Sequence, residues 1–419
     1  MGMDNPKAFL TSLYQAAVAA ADPLTGLRAH LPSPPRGRTV VIGAGKGAAQ
    51  MAQALETLWP GPLQGLVVTR YGHAAPCKTI EVLEAAHPVP DAAGLQAAER
   101  LMAAVQGLTA EDLVIALICG GGSALLPAPP AGFGLEDEIA LNTALLASGA
   151  PISAMNALRS HFSRIKGGRL AALAHPARVV SLVVSDVPGD DPAQVASGPT
   201  IPRQGDTAAA LAFADRYQIP LSAAQRAHIL ADQGPQPTDP AFARDHVAVV
   251  ASAARSLEAA AGHCRASGVE AVILSDSFEG EAREAGRFHA DLALEVARRD
   301  RPFRKPVVLL SGGETSVTLR GKGRGGRNTE FLLAFAGRIA GQGGIDALAA
   351  DTDGIDGIGH QAGAFADGST ADRLRECGLR IDDCLDRNDS GTAFAALGDL
   401  FMPGPTGTNV NDFRAILIR

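Results

Sequence analysis

Arg320, Lys322, Arg324 and Arg327 stand among six glycines within LLSGGETSVTLRGKGRGGRN (309–328), after an apolar run and before the amphipathic stretch 329–339. Glycine lets backbone N–H groups approach a ligand, arginine presents a planar fork to phosphate or carboxylate, and a following helix turns its positive end toward the loop. The pattern is that of an anion site. A second glycine turn, in VVIGAGKGAAQMA (40–52), sets Gly45 and Lys46 between a strand-like run and a helical one, suited to an anion held on helix-terminal amides. Its spacing is neither that of a Walker loop nor that of a dinucleotide fingerprint. The acidic residue that a dinucleotide site wants about 20 positions on is missing, and Arg70 ends the second strand, which disfavours NAD and leaves NADP open. A third turn, Gly120-Gly121-Gly122-Ser123 in LICGGGSALLPAP, offers consecutive amides for a phosphate nest.

Carboxylates gather at two further strand ends. SLVVSDVPGDDPAQVASGPT runs an apolar stretch into Asp186, Asp190 and Asp191, with Ser197, Gly198 and Thr200 following as phosphate donors; LAADTDGIDGIG places Asp351, Asp353 and Asp356 after another. Such groups suit magnesium, which takes one or two carboxylates with phosphate and water, or the acceptance of a hydroxyl proton. A calcium loop of the EF-hand type is excluded, because no late bidentate glutamate follows. In 155–174, Leu158, Phe162 and Ile165 trace an apolar helix face and Arg159, Lys166 and Arg169 a basic one, so Arg159 reads as a solvated cation. Gly167-Gly168 is costly inside a helix and marks either a break or a close backbone contact. The histidines, His87 among them, are scattered without metal-like pairing, and no G-x-S-x-G elbow marks a serine hydrolase.

The elements that must position these groups alternate in type. Short β-branched runs at 39–42, 65–69, 79–83, 113–119 and 179–184 are interleaved with helical patterns at 47–58, 92–105, 136–148 and 152–174, the signature of βαβ units in a doubly wound, Rossmann-like parallel sheet. The proline-bearing polar stretch 232–245 marks a boundary, giving domains 1–236 and 237–419. The second α/β domain would open with a strand at 247–251 and continue through helices at 253–267, 281–299 and 329–339, with strands at 271–275, 307–310, 347–350 and 415–418. The N-terminal run reads as an amphipathic surface helix rather than a signal peptide.

The chain of 419 residues is 46% hydrophobic but only 4% aromatic, so alanine, leucine and valine must build cores of helices layered on sheet. A net charge of -7 argues against nucleic-acid or anionic-membrane binding and leaves the basic clusters sized for small anions. Five cysteines without metal-ligand spacing place the protein in the reducing cytoplasm.

VIGAGKGA, CGGGSALL, LRSHFSRIKGGRLA, SDVPGDDPAQVASGPT, LLSGGETSVTLRGKGRGGRNTEF, AADTDGIDG, NDSGTAF and GPTGTNVND, in this order, resemble the class II glycerate kinases, of the glycerate 2-kinase type with a C-terminal MOFRL domain. Members have also been labelled hydroxypyruvate reductases. The resemblance implies a second domain with a mixed sheet and transfer of phosphate from ATP, with Mg2+, to D-glycerate, yielding 2-phosphoglycerate. It implies that Lys46 and Arg327 engage the substrate or the transferring phosphate, with Asp190 near the reacting hydroxyl. Gly45, Gly120, Gly121, Gly122, Ser123, Ser197, Gly198, Thr200, Gly312, Gly313 and Asn328 would bind substrate or ATP. Glu314, Asp186, Asp351 and Asp353 would serve the metal, with Glu314 alternatively orienting Arg327. The partners are then small molecules, with neither nucleic acid nor membrane, and the chain could pair as a homodimer. The competing reading is an NADPH-dependent hydroxypyruvate reductase, carried by the Gly43 turn, Arg70 and the doubly wound pattern.

Overall fold

The structure, a computed structural model, describes residues 5–203, 206–357 and 359–419, and of Pro188 the backbone alone. It divides into two compact units: Pro23–Val250, and Ala251–Arg419 joined by the N-terminal helix Pro6–Ala20.

The first unit holds a six-stranded sheet of β1 (Thr39–Ala44), β2 (Gln64–Arg70), β3 (Ile80–Ala85), β4 (Leu113–Cys119), β5 (Arg178–Val184) and β6 (His246–Ala251), in the order β3-β2-β1-β4-β5-β6. β1 pairs parallel with β2 and β4, β2 with β3, and β4 with β5. β1 and β4 are buried along their whole length, which explains their unbroken apolar runs: both faces of a parallel sheet are covered by its crossover helices. Helices Ala48–Leu58 and Ala92–Ala104 supply alanine-rich faces to that packing. The strand order reverses between β1 and β4, where an open α/β sheet forms its ligand crevice beyond the strand ends.

The helix expected over 152–174 is two helices, Ile152–His161 and Arg169–Ala174, because Gly167 and Gly168 take positive φ of 64° and 84°. Their N–H groups donate instead to Ser197 O (3.0 Å) and Gly198 O (2.7 Å), so the break anchors the segment after the first aspartate cluster.

The strand expected to open the second domain is β6, and it belongs to the first sheet. The polar stretch 232–245 carries the chain to the edge beside β5, where the Asp245 carboxylate accepts the Val179 N–H at 2.8 Å. The division thus falls at Val250/Ala251, beyond the expected 236/237. The N-terminal helix also differs from expectation. Its face of Phe9, Leu10, Leu13, Tyr14 and Ala17 is buried against Leu257, Val308, Leu348 and Phe413 of the second unit, each large side chain contributing about 1.5–3 kcal/mol.

The second unit's sheet runs β11-β10-β9-β12-β8-β7, from β7 (Glu270–Glu281), β8 (Val307–Ser316), β9 (Ile345–Asp351), β10 (Gly363–Asp367), β11 (Leu400–Phe401) and β12 (Asp412–Ile418). β7 and β8 are parallel, whereas β12 lies antiparallel between β8 and β9, making the sheet mixed. That register puts Asp412 opposite both Gly313 and Asp351. Among the described residues no helix is long and apolar enough to cross a membrane.

Candidate active site

In the first unit the turns after β1 and β4 are locked together at the point of strand reversal. The Lys46 N–H donates to Gly120 O at 2.8 Å, and the Gly47 N–H to Cys119 Sγ at 3.2 Å. Gly121 has φ +81°, and the space a Cβ would take lies 3.0 Å from Lys46 Cγ and 3.2 Å from His87 Nε2. Beside it the Asp186 carboxylate covers Gly120, with Oδ2 1.8 Å from where a Cβ would sit. Lys46, His87 and Asp186 therefore converge on two glycines that no other residue could replace without displacing them. Burial, then Lys46 and Arg70, push the His87 imidazole down to about 4, so it is neutral beside the lysine at pH 7. We predict that NMR titration finds the His87 ring changing charge near pH 4; titration near its ordinary 6.5 would contradict this environment. The unfolded chain takes up this proton first, so His87 costs the fold stability as pH falls from about 6.5 toward 4.

Behind the β4 turn, Ser123 Oγ meets Ser197 Oγ at 2.7 Å, and Ser197 donates to Asn156 Oδ1 at 3.0 Å. A hydroxyl has one proton, so Ser123 is the donor to Ser197 and its proton is committed within the fold. Ser197 is fully buried, the Thr200 hydroxyl is joined to Ser181 Oγ at 2.7 Å, and Gly198 packs on Ala193 O. These three support the turn from beneath. Asp190, Ala196 and Ser197 hold positive φ of 53°, 53° and 60°, a cost of about 1–3 kcal/mol each that the surrounding packing and hydrogen bonds must enforce. Asp190 is half-buried, and its backbone is fixed by an N–H to Val187 O bond of 3.2 Å.

In the second unit Arg327 opens helix Arg327–Arg338 and gathers three strand-end carboxylates. Nε donates to Asp412 Oδ1 (2.6 Å), Nη2 to Asp351 Oδ2 (2.6 Å) and Nη1 to Glu314 Oε1 (3.3 Å). Asp412 also receives Asn328 Nδ2 at 2.7 Å and the wholly buried Arg414. Burial alone would raise the Asp412 carboxyl, but Arg327 and Arg414 hold it below its ordinary range. Asp351, buried and facing Asp353 and Asp412, is pushed well above its range in spite of Arg327, so a proton entering this centre goes to Asp351. Desolvation would weaken the Arg327 charge, yet the three carboxylates raise its pKa overall. Gly312 and Gly313 are β8 residues; Gly313, at φ +120°, lies against Phe278 O.

Two sequence readings change here. Asp356 caps the Arg327 helix, its carboxylate accepting the Asn328 and Thr329 N–H groups at 2.9 Å each. The glycines of 321–326 approach the protein's own chain rather than open space. A Cβ at Gly321 would lie 2.3 Å from Arg387 O, at Gly325 2.3 Å from Ser390 Oγ, and at Gly326 2.4 Å from the Asp356 carboxyl. Arg320, Lys322 and Arg324 are exposed along this strap, and Arg327 alone turns inward. Asp412, His87 and Arg159 are the residues that sequence reasoning missed. For Asp412 the available signal was an acidic residue heading the last apolar strand.

Among the described residues, no three His, Cys, Asp or Glu side chains form a group that could hold a metal ion. Both Asp351 oxygens are engaged, by Arg327 and by the Asp353 N–H at 3.0 Å, while Asp353 Oδ1 accepts the Ile355 N–H at 2.8 Å. Glu314, half exposed, and Asp186, over Gly120, fit the one- or two-carboxylate manner in which magnesium accompanies phosphates better than a protein cage.

Residues 9–230 match the domain of unknown function DUF4147, and residues 307–412 match the MOFRL family. The chain is 38% identical to the D-glycerate 2-kinase of Thermotoga maritima over 97% of each chain. The crystal structure of glycerate kinase from Thermotoga maritima superposes with a TM-score of 0.88 at 37% identity, covering 97% of this chain and 98% of that one. An Agrobacterium vitis protein provisionally named hydroxypyruvate reductase is 50% identical over 98% of this chain and 94% of its own. The chain belongs to the glycerate 2-kinase family, with its MOFRL domain, and is a kinase.

Proposed function

We propose that this kinase transfers the terminal phosphoryl group of ATP to the 2-hydroxyl of D-glycerate, with Mg2+, giving 2-phospho-D-glycerate and ADP. The observation that carries the reading is the lysine laid over Gly121 at the strand-order reversal, between two interlocked glycine turns. Phosphoryl transfer asks of a protein mainly positioned phosphates, nearby cations and a group to receive the hydroxyl proton. Lys46 supplies the cation in the first unit, and the Gly45 and Gly120–Gly122 amides supply donors. Asp190, fixed in a strained backbone, takes the proton as the substrate oxygen bonds to phosphorus and the bond to ADP breaks. Arg327, held by Asp412 and Asp351, serves the charge of the transferring group. Mg2+ would be held through Glu314 or Asp186 with phosphate oxygens, and it neutralises phosphate charge when bound. Five free thiols suit a reducing cytoplasm.

The second reading, an NADPH-dependent hydroxypyruvate reductase, draws on the 3-2-1-4-5-6 strand order and on Arg70 at the end of β2. One experiment separates the two. Pure protein with D-glycerate, ATP and Mg2+ should form 2-phosphoglycerate, identified by phosphorus NMR. No phosphoglycerate, with NADPH oxidised on hydroxypyruvate, would overturn the proposal.

A further inference from the structure

The hydrogen bonds behind Ser123 end on Arg159, a cation that forms no ion pair with a carboxylate among the described residues. Arg159, expected to be solvated, is half-buried on helix Ile152–His161, with Nε and Nη2 donating to Asn142 Oδ1 (3.1 and 2.6 Å) and Nη1 to Asn156 Oδ1 (3.2 Å). Both acceptors are neutral amides. Their orientation is fixed from the far side, since Asn156 Nδ2 donates to Gln194 O at 2.9 Å and Asn142 Nδ2 to Pro88 O at 3.3 Å. The other two charges of this wall cancel: Lys166 Nζ reaches Glu138 Oε1 at 2.6 Å, and Glu138 Oε2 accepts the Ala128 N–H at 2.8 Å. Burial pulls the guanidinium down to about 10, against the opposing pull of Glu138. Arg159, Asn142, Ser123, Leu141, Phe162 and the Lys166–Glu138 pair line a hollow of about 10 Å3, room for one water or one ligand oxygen. A desolvated cation is costly unless an anion meets it, and one held open by neutral amides beside a ligand turn is set to receive that anion.

We propose that Arg159 receives the carboxylate of the small hydroxy acid and so determines acceptor specificity, with Asn142 and Asn156 as positioning residues that aim its fork. This rests on the glycerate reading above. The hollow admits one oxygen of that carboxylate and is far too small for a nucleotide. It assigns the first unit a carboxylate subsite distinct from the Lys46 turn, joined to Ser123 through Ser197 and Asn156.

The test compares D-glycerate with D-glyceramide, its neutral isostere, as phosphoryl acceptors. In Arg159→Gln the KM for D-glycerate should rise by about 100-fold while the KM for ATP stays put, and the preference for the acid over the amide should collapse. Arg159→Lys, which keeps the charge without the fork, should restore part of that preference. An unchanged preference in Arg159→Gln, or an equal loss with both acceptors, would overturn the assignment and leave Arg159 a clamp between two helices. If the unsubstituted protein phosphorylates neither compound, the kinase reading fails separately. Calorimetric binding without nucleotide then still decides: the unsubstituted protein should bind D-glycerate more tightly than D-glyceramide and the glutamine variant should bind them equally, while equal binding by the unsubstituted protein sinks the proposal.

Discussion

Lys46→Ala lowers kcat by on the order of 10³, equivalent to about 4 kcal/mol of lost transition-state stabilisation, while the thermal midpoint stays within a degree or so. The effect is large because this is the cation that the two interlocked turns present, over a glycine whose missing Cβ leaves it room. Stability is spared because the side chain lies across Gly121 and His87 at a half-exposed position instead of filling the apolar core. A companion variant strengthens the argument. Gly121→Ala keeps the lysine but puts a methyl 3.0 Å from its Cγ, on backbone at φ +81°, and should lose activity through displacement of an intact ammonium group. Steady-state kinetics with D-glycerate and ATP reads both. Turnover within tenfold of the unsubstituted enzyme in Lys46→Ala removes the lysine from the chemistry.

The largest loss of stability is expected from Asp412→Ala. Its side chain is fully buried and is the shared acceptor of Arg327 and Arg414, the latter also fully buried, so removal leaves two guanidinia around an empty site. Breaking a buried ion pair from one side typically costs about 3–5 kcal/mol, far more than the pair itself contributes over an apolar replacement. Asp412→Asn keeps one acceptor oxygen and should fall between. The single tryptophan, Trp59, lies in the first unit, so its fluorescence reports that unit in urea, whereas circular dichroism reports both. The variant should shift the dichroism midpoint more than the fluorescence midpoint. Acid behaviour gives a second reading. A carboxyl held below its ordinary range stabilises the fold above about pH 4 and loses that contribution as pH falls through its folded value, and this slope should vanish in Asp412→Ala. Unchanged denaturation curves would mean that Arg414 and Arg327 find other partners.

What could be read from sequence follows from how local each signal is. The strand-to-helix turns at Lys46 and Gly120 were legible because period, glycine and apolar run all lie within a dozen residues, and β1, β4 and the helix Ala48–Leu58 stand where the pattern puts them. Asp412 was not, since its meaning comes from Arg327, 85 positions away, and from a register that only the folded sheet defines. Arg159 looks solvated on a helical wheel; it becomes half-buried through Asn142 on another helix, 17 positions earlier. Glycines in 321–326 would have the same composition whether they embraced a ligand or, as they do, the chain at 387–391. The strand β6 misled for the opposite reason: a proline-bearing polar stretch is ordinarily a linker, and here it is a return path to a sheet edge.

The N-terminal helix bears on the order of events during synthesis. Phe9, Leu13 and Tyr14 leave the ribosome well before Val308, Leu348 and Phe413, which bury them and are made only after the first unit, and Tyr14 donates to Asp351 O at 2.9 Å across 337 positions. Domains fold as units in the order they emerge. The first unit can therefore close its sheet while this apolar helix is still without its partner surface, an exposed stripe open to chaperones until the second unit is made.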